Sequence, residues 1–161
     1  MMRFGRAWLT AYVLMLLSIQ LVGCASGEVD VLDAEGRVMG QCSAEFNFHR
    51  YGAQASVDYI LHLCAQEHVE QGRLIADQRY IEQDFSLPTP PKNRQWNQSL
   101  AHQAFADKQI TEQQLGYVLA AIEYHFWMQR QQAQALLEQG QLTTAQYEQR
   151  LAQAKRELTG E

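Results

Sequence analysis

The sequence predicts an α+β fold that is mostly α, with an N-terminal β-hairpin packed on a helix and a small helical bundle that ends in an antiparallel helix pair. Apolar residues alternate with a period of two in residues 38–48, which is typical of a half-buried strand. They recur at helical spacing on both sides of the only prolines, Pro88, Pro90 and Pro91. Because proline bars helix, residues 78–97 are expected to form an extended connector. The connector separates a hairpin-plus-helix module, residues 24–77, from a helical domain, residues 98–161.

The first module is expected to open with a hairpin after a short tether. Residues 28–33 alternate apolar and acidic side chains, and a turn signal from Asp33 to Gly36 separates them from the longer run. The period of two places on one face of the second strand Val38, Gly40, Cys42, Ala44, Phe46 and Phe48. The other face takes the polar Gln41, Ser43, Glu45 and Asn47. Cys42 is therefore expected to point toward the core.

A helix is predicted directly after the hairpin. Ser56 is a favourable N-cap with Asp58 in the first turn, and Gly72 is a favourable stop. One helical face between these limits carries Val57, Ile60, Leu61, Cys64 and His68. Because a lone hairpin is marginal in water, this face is expected to cover the strand face of Cys42.

The helical domain contains a repeated helix start at an offset of 32 residues, with Lys108–Leu115 aligned to Gly140–Tyr147. In each copy a threonine precedes a glutamine by three residues, which is the arrangement of a capping box. The repeat predicts helices at about 112–139 and 144–157, antiparallel because the link is short. A shorter helix is expected at about 99–106. The apolar stripe of the long helix comprises Leu115, Val118, Leu119, Ile122 and Phe126, widened by Tyr117, Ala121, Tyr124 and Met128.

Residues 1–23 have the features of an export signal. Met1–Arg6 carries two arginines, and the apolar run Ala7–Leu21 that follows is shorter than the roughly 20 residues of a membrane-spanning helix. The four residues at the end of this run, Leu21-Val22-Gly23-Cys24, resemble the lipobox of bacterial lipoproteins. The resemblance implies cleavage before Cys24 and acylation of that cysteine, which anchors a protein without crossing the membrane. Ala25, where an aspartate would resemble an inner-membrane retention signal, favours the periplasmic face of the outer membrane. The alternative is a plain signal peptide that happens to end in cysteine.

The net charge limits the expected classes of partner, and the cysteine content predicts a disulfide. Cleavage removes Arg3 and Arg6 from 13 basic residues and none of 18 acidic ones, which leaves a net charge of about −7. Nucleic acid and a bare anionic lipid face are therefore not expected as main partners. With Cys24 acylated, Cys42 and Cys64 are left in an oxidising compartment, which predicts a disulfide between them.

The C-terminal segment Ala135–Leu158 resembles the short helical domain known as SHOCT. The residues that carry the resemblance are the two leucines before Gly140, the Gly-x-Leu-Thr step, the aromatic Tyr147 and the basic pair Lys155-Arg156. Domains of that kind lie at chain ends and are associated with assembly, so the resemblance implies an interaction role. The glutamine-rich run of residues 129–153 is interpreted as a solvated helix face, with a partner-helix surface as the alternative.

The sequence offers two possible chemical sites, one for metal binding and one for acid–base chemistry. Cys64 and His68 lie four residues apart on one helix face, and with Cys42 and either His62 or His49 they form a possible zinc site. Glu123 and His125 lie among the aromatics of the long helix, where burial would raise the pKa of a carboxyl and suit it to proton transfer. The simpler interpretations are that Cys42 and Cys64 form a disulfide and that Glu123 and His125 face outward at the helix edge. Trp96 is interpreted as a packing anchor, with ligand stacking as its alternative.

The sequence carries no Gly-x-Ser-x-Gly elbow, no glycine-rich phosphate loop, and no close-spaced Cys-x-x-Cys or His-Glu-x-x-His motif. We therefore expect no catalysis, no cofactor and no resident metal. The predicted protein is an outer-membrane lipoprotein held by lipid at Cys24, which binds another envelope protein or itself. Its possible interaction residues are Tyr117, Tyr124, Phe126 and Trp127. The alternatives are a small periplasmic enzyme or metal-binding protein that uses Cys and His residues, and a structural protein that contacts peptidoglycan.

Overall fold

The computed structural model describes residues 25–46, 51–91 and 94–161, and it confirms the predicted α+β, mostly helical fold. The elements in chain order are β1 (Ala25–Leu32), β2 (Val38–Phe46), α1 (Ala53–Glu70), β3 (Leu74–Ile75), α2 (Arg79–Glu82), α3 (Gln98–Ala106), α4 (Glu112–Glu138) and α5 (Thr144–Thr159). The strands form one antiparallel sheet in the order β2-β1-β3. β3 was not predicted, and it extends the hairpin on the β1 side.

The hairpin is held at its turn by Asp33. The Asp33 carboxylate accepts hydrogen bonds from the backbone N–H of Arg37 at 2.9 Å and of Glu35 at 3.0 Å, and its second oxygen lies 2.7 Å from the Arg37 guanidinium. These bonds, the Arg37 backbone bond first, hold the pKa of Asp33 below its usual value. Gly36 takes the expected left-handed backbone, with φ of 80°.

The predicted inward face of β2 is confirmed at Cys42 and is wrong at Val38. Cys42 pairs with Val29 and is 1% exposed, whereas Val38 is 63% exposed. The cause is a register irregularity, because Val31 pairs with Gly40 while the next residue, Leu32, pairs with Val38. The extra residue on β2 reverses the side-chain alternation beyond it. Phe48 and Asn47, assigned to the two faces, lie outside the described residues.

The predicted starts of one strand and one helix in the first module are corrected. β1 begins at Ala25 and not at Glu28, so the expected tether is absent from the described part of the chain. α1 begins after Gly52 and not after Ser56. Ser56 is instead a fully buried residue inside the helix, whose hydroxyl lies 3.1 Å from the carbonyl oxygen of Gly52 and 2.9 Å from that of Gly116. The predicted stop at Gly72 is confirmed by its φ of 79°, directly beyond the end of the helix.

The residues predicted as a connector are extended only in part. The short helix α2 occupies residues 79–82, and Tyr80 and Phe85 are buried with the sheet and α1. From Gln83 to Pro90 the chain is free of helix, as the prolines require. Trp96 closes the segment, with its indole N–H donating to the carbonyl of Pro88 at 2.8 Å. The structure thus supports the interpretation of Trp96 as a packing anchor.

Both predicted capping boxes form. The Thr111 hydroxyl accepts from the Gln114 backbone and the Gln114 side chain accepts from the Thr111 backbone, and Thr143 and Gln146 repeat the arrangement. Gly140, with φ of 70°, separates α4 from α5 as expected. α3 begins at an unpredicted cap, Asn97, whose side chain accepts from the backbone N–H of Leu100 at 2.8 Å.

Among the described residues, the interior consists of two clusters that α4 joins. The sheet core includes Val29, Val31, Cys42, Val57, Leu61, Ile75, Phe85 and Tyr117. The helix core includes Ala101, Ala104, Ile110, Leu115, Val118 and Leu119. Since Tyr117 belongs to the first cluster and Leu115 and Val118 to the second, α4 packs on the hairpin module as well as on its own bundle.

Candidate functional site

The two cysteines of the first module are joined by a disulfide. Cys42 comes from β2 and Cys64 from α1, their Cα atoms lie 6.0 Å apart, and the sulfurs are bonded. This is the separation that disulfide geometry requires. The strand face and the helix face meet where the sequence predicted, and the bond fixes the helix to the sheet.

The alternative zinc site overlaps the disulfide. The ligand atoms of Cys42, Cys64 and His68 lie within 4.8 Å of one another, so three possible ligands converge. Both sulfurs are bonded to each other, however, and a thiolate is the form of cysteine that binds metal. The Nδ1 of His68 lies 2.7 Å from the guanidinium of Arg73, which donates to it. In this state the two sulfurs are bonded to each other, and the Nδ1 of His68 is occupied by Arg73.

Of the two further histidines of that alternative, His62 does not join the cluster. The Nδ1 of His62 lies 2.6 Å from the carbonyl oxygen of Tyr80, so this nitrogen donates, and the ring stacks on Phe85 at 4.3 Å between centroids. His62 is therefore a packed and hydrogen-bonded member of the core. His49 lies outside the described residues.

The acid–base pair of the other alternative is separated by the helix. Glu123 is half-buried and accepts a hydrogen bond from the Gln98 side chain at 3.2 Å. His125 is exposed and lies 3.0 Å from the Gln129 side chain. Side chains two positions apart in a helix project to different sides, so the structure does not bring Glu123 and His125 to one site.

The four predicted interaction residues divide into three environments. Tyr117 is 3% exposed and packs between Tyr59 and Phe85, at ring-centroid distances of 5.7 Å and 5.1 Å. Its hydroxyl accepts from the side chains of Gln83 and Gln113, each at 2.7 Å. This placement corrects the grouping, because a buried Tyr117 stabilises the core and presents no surface.

Tyr124 and Trp127 do form an exposed surface. They are 39% and 48% exposed, and their rings stack at 5.9 Å between centroids. Met128 is exposed beside them at 47%, and the spacing of three and four residues puts all three side chains on one face of α4. We call Tyr124, Trp127 and Met128 the aromatic patch.

Phe126 is half-buried and lines a groove between α4 and α5. The groove has a volume of about 250 Å³, and its apolar lining includes Trp96, Ile122, Phe126, Ala154 and Leu158. A second depression of about 290 Å³ adjoins it along the same two helices and shares Gln129, Ala154 and Glu157. Hydrogen bonds from Gln153 and Gln129 hold the pKa of Glu157 below its usual value.

Sequence reasoning missed an apolar cluster at the turn end of the sheet. Leu32 pairs with Val38 on one side and with Leu74 on the other, so the three side chains share the face turned away from α1. Val38 and Leu74 are exposed, as is Met39 next to them. The adjacent apolar pair Val38-Met39 was the available signal, since it breaks a strict alternation.

Cys24 lies outside the described residues, so acylation stays a prediction from its resemblance to a lipobox. Among residues 25–46, 51–91 and 94–161, the helices are too short or too polar to traverse a bilayer. Comparison with protein-family models, with curated proteins and with solved structures found no match to this chain.

Proposed function

We propose that the chain is a non-catalytic lipoprotein, anchored in the outer membrane through acylated Cys24, whose aromatic patch binds another protein of the cell envelope. The observation that carries the proposal is the exposure of Tyr124, Trp127 and Met128 on one face of α4. The Cys42–Cys64 disulfide supports the location, because such bonds persist in oxidising compartments.

The aromatic patch has the physical properties of a binding surface. Tyrosine and tryptophan supply large contact areas, and they are enriched among the residues that dominate binding energy. The stacked rings of Tyr124 and Trp127 already restrict each other, so less side-chain entropy is lost on binding. Residues 115–120 of α4 are buried, and the patch begins four residues further along the same uninterrupted helix.

The test is crosslinking in intact membranes followed by purification of the full chain. We expect the wild type to capture a defined envelope protein and the double variant Tyr124→Ala/Trp127→Ala to lose it. Leu87→Ala is the matched control, since Leu87 is a similarly exposed apolar residue in the proline segment. Thermal unfolding of all three chains verifies that the fold persists.

Other results would contradict this function. Capture that is equal in the wild type and the double variant would exclude the aromatic patch. A second copy of the chain as the captured protein would replace the envelope partner by self-association. Copurified metal or muropeptide in place of a protein would favour one of the other classes.

A further inference from the structure

The connection between the proposed lipid anchor and the folded domain contains no spare residues. β1 begins at Ala25, and Ala25 is already paired with Phe46 on β2. One residue spans at most about 3.6 Å of extended chain, so the sheet starts within a few ångströms of Cys24. A flexible tether, the usual way to let a domain move above its anchor, is missing between these two points.

The same end of the domain contains the starts of two helices. Gly27 packs so closely on α1 that a Cβ on it would lie 2.8 Å from a methyl of Val57. Ala25, two residues or about 7 Å nearer the end of the sheet, is thus level with the first turn of α1. The backbone N–H of Gly52 donates to the carboxylate of Glu112 at 3.1 Å, which brings the first turn of α4 to this end as well.

An aromatic side chain lies at this end. Tyr51 precedes α1, is 43% exposed, and its ring lies 5.4 Å from the ring of Phe105 at the end of α3. Tyrosine is enriched where proteins meet the headgroup region of a bilayer, because one end of the ring is apolar and the other is polar. We call Ala25, Phe46, Tyr51 and Phe105 the basal end.

We infer that the basal end rests directly on the lipid headgroups and that the hairpin turn stands away from the membrane. This inference rests on the proposed acylation of Cys24, and it adds an orientation that the anchor alone does not impose. The occupant of the basal end is the bilayer that holds the acyl chains. The driving force is the anchor, since acyl chains hold a protein at a membrane without any basic patch. The turn, eight strand residues away, stands up to about 26 Å above the headgroups.

The experiment uses the full chain in cell membranes, with a photo-crosslinking phenylalanine analogue replacing either Tyr51 or Glu35. Glu35 is the matched position at the hairpin turn, and both side chains are exposed. We expect lipid adducts at position 51 to exceed those at position 35 several-fold. The mass of the processed chain reports in the same samples whether Cys24 carries acyl groups.

A variant with an inserted tether tests whether the lipid adducts at position 51 result from the short connection to Cys24 or from an affinity of this surface for lipid. Twelve residues, an alanine followed by glycines and serines, are inserted between Cys24 and Ala25, which gives a flexible reach of about 20 Å. We expect the adducts at position 51 to fall to the level of position 35.

Each other outcome overturns a specific statement. Equal adducts at positions 51 and 35 on an acylated chain overturn the orientation and leave the anchor intact. Adducts at position 51 that survive the insertion overturn the role of the missing tether. A chain without acyl groups overturns the proposed anchor and the orientation together.

Discussion

Gly116 determines how closely α4 approaches α1. A Cβ at this position would collide with the carbonyl oxygen of Gly52 and would lie 2.6 Å from the Cβ of Ala55. The first is a backbone atom and the second is a Cβ, so neither can move aside by a change of rotamer. Gly116 therefore permits the contact that joins the two cores.

We predict that Gly116→Ala destabilises the protein although alanine is the better helix former. Overpacking costs about 1–3 kcal/mol, which exceeds the roughly 1 kcal/mol that alanine gains over glycine in a helix. The measurement is the free energy of unfolding in urea. Gly40→Ala is the control, because a Cβ there meets nothing within 4 Å. Equal stability of the two variants would show that α1 and α4 can separate at little cost.

Ser56 shows why individual residues are harder to predict than patterns. Its type and position satisfy the local rules for an N-cap, and the glycine that in fact precedes the helix has no side chain to signal the role. In the structure the serine hydroxyl instead donates to the carbonyl of Gly116, 60 residues away, which no local pattern reveals. Tyr117 is similar, since only the tertiary structure distinguishes a buried aromatic from an exposed one.

The two capping boxes are locally alike but support helices of different burial. α4 buries six consecutive residues, 115–120, from its fourth residue onward, whereas α5 buries only Ala154. A helix with few buried side chains opens locally before the whole protein unfolds.

We predict different results for Thr111→Ala and Thr143→Ala. Loss of an N-cap costs about 0.5–2 kcal/mol. For Thr111 we expect the global free energy of unfolding to fall by this amount. For Thr143 we expect faster amide hydrogen exchange in the first turns of α5 with a smaller global change. Each variant serves as the control for the other, and equal global losses would contradict the difference in burial.

The longer elements were predictable because their signals repeat along the chain. α4 combines a capping box, a periodic apolar stripe and a terminal glycine, and α5 begins at a second capping box; the observed bounds of both lie within one or two residues of the prediction. β3 was missed because a two-residue strand has no periodicity. The bulge in β2 was missed because register depends on the partner strand.

The disulfide acts on the stability of the whole molecule. It closes a loop of 22 residues and ties the sheet to α1, on which α4 packs. In the chain-entropy treatment such a loop contributes about 3 kcal/mol by restricting the unfolded chain.

We predict that Cys42→Ala/Cys64→Ala lowers the free energy of unfolding by about 3 kcal/mol. A reducing agent should produce a similar loss in the wild type and none in the variant, which is the control. An unfolding midpoint of the wild type that does not respond to the reductant would contradict the prediction. Recovery of the reduced wild type on addition of zinc would instead favour the metal site of Cys42, Cys64 and His68.

The unbroken length of α4 gives the aromatic patch a fixed position. The helix starts at the basal end with Glu112 and runs for 27 residues, or about 40 Å, without interruption. Tyr124 and Met128 follow Glu112 by 12 and 16 residues, which places the patch about 18–24 Å along this rod. In the proposed orientation, this length limits the distance of the patch from the headgroups to about 24 Å, so partners would be selected by the height of their binding site above the membrane as well as by its chemistry.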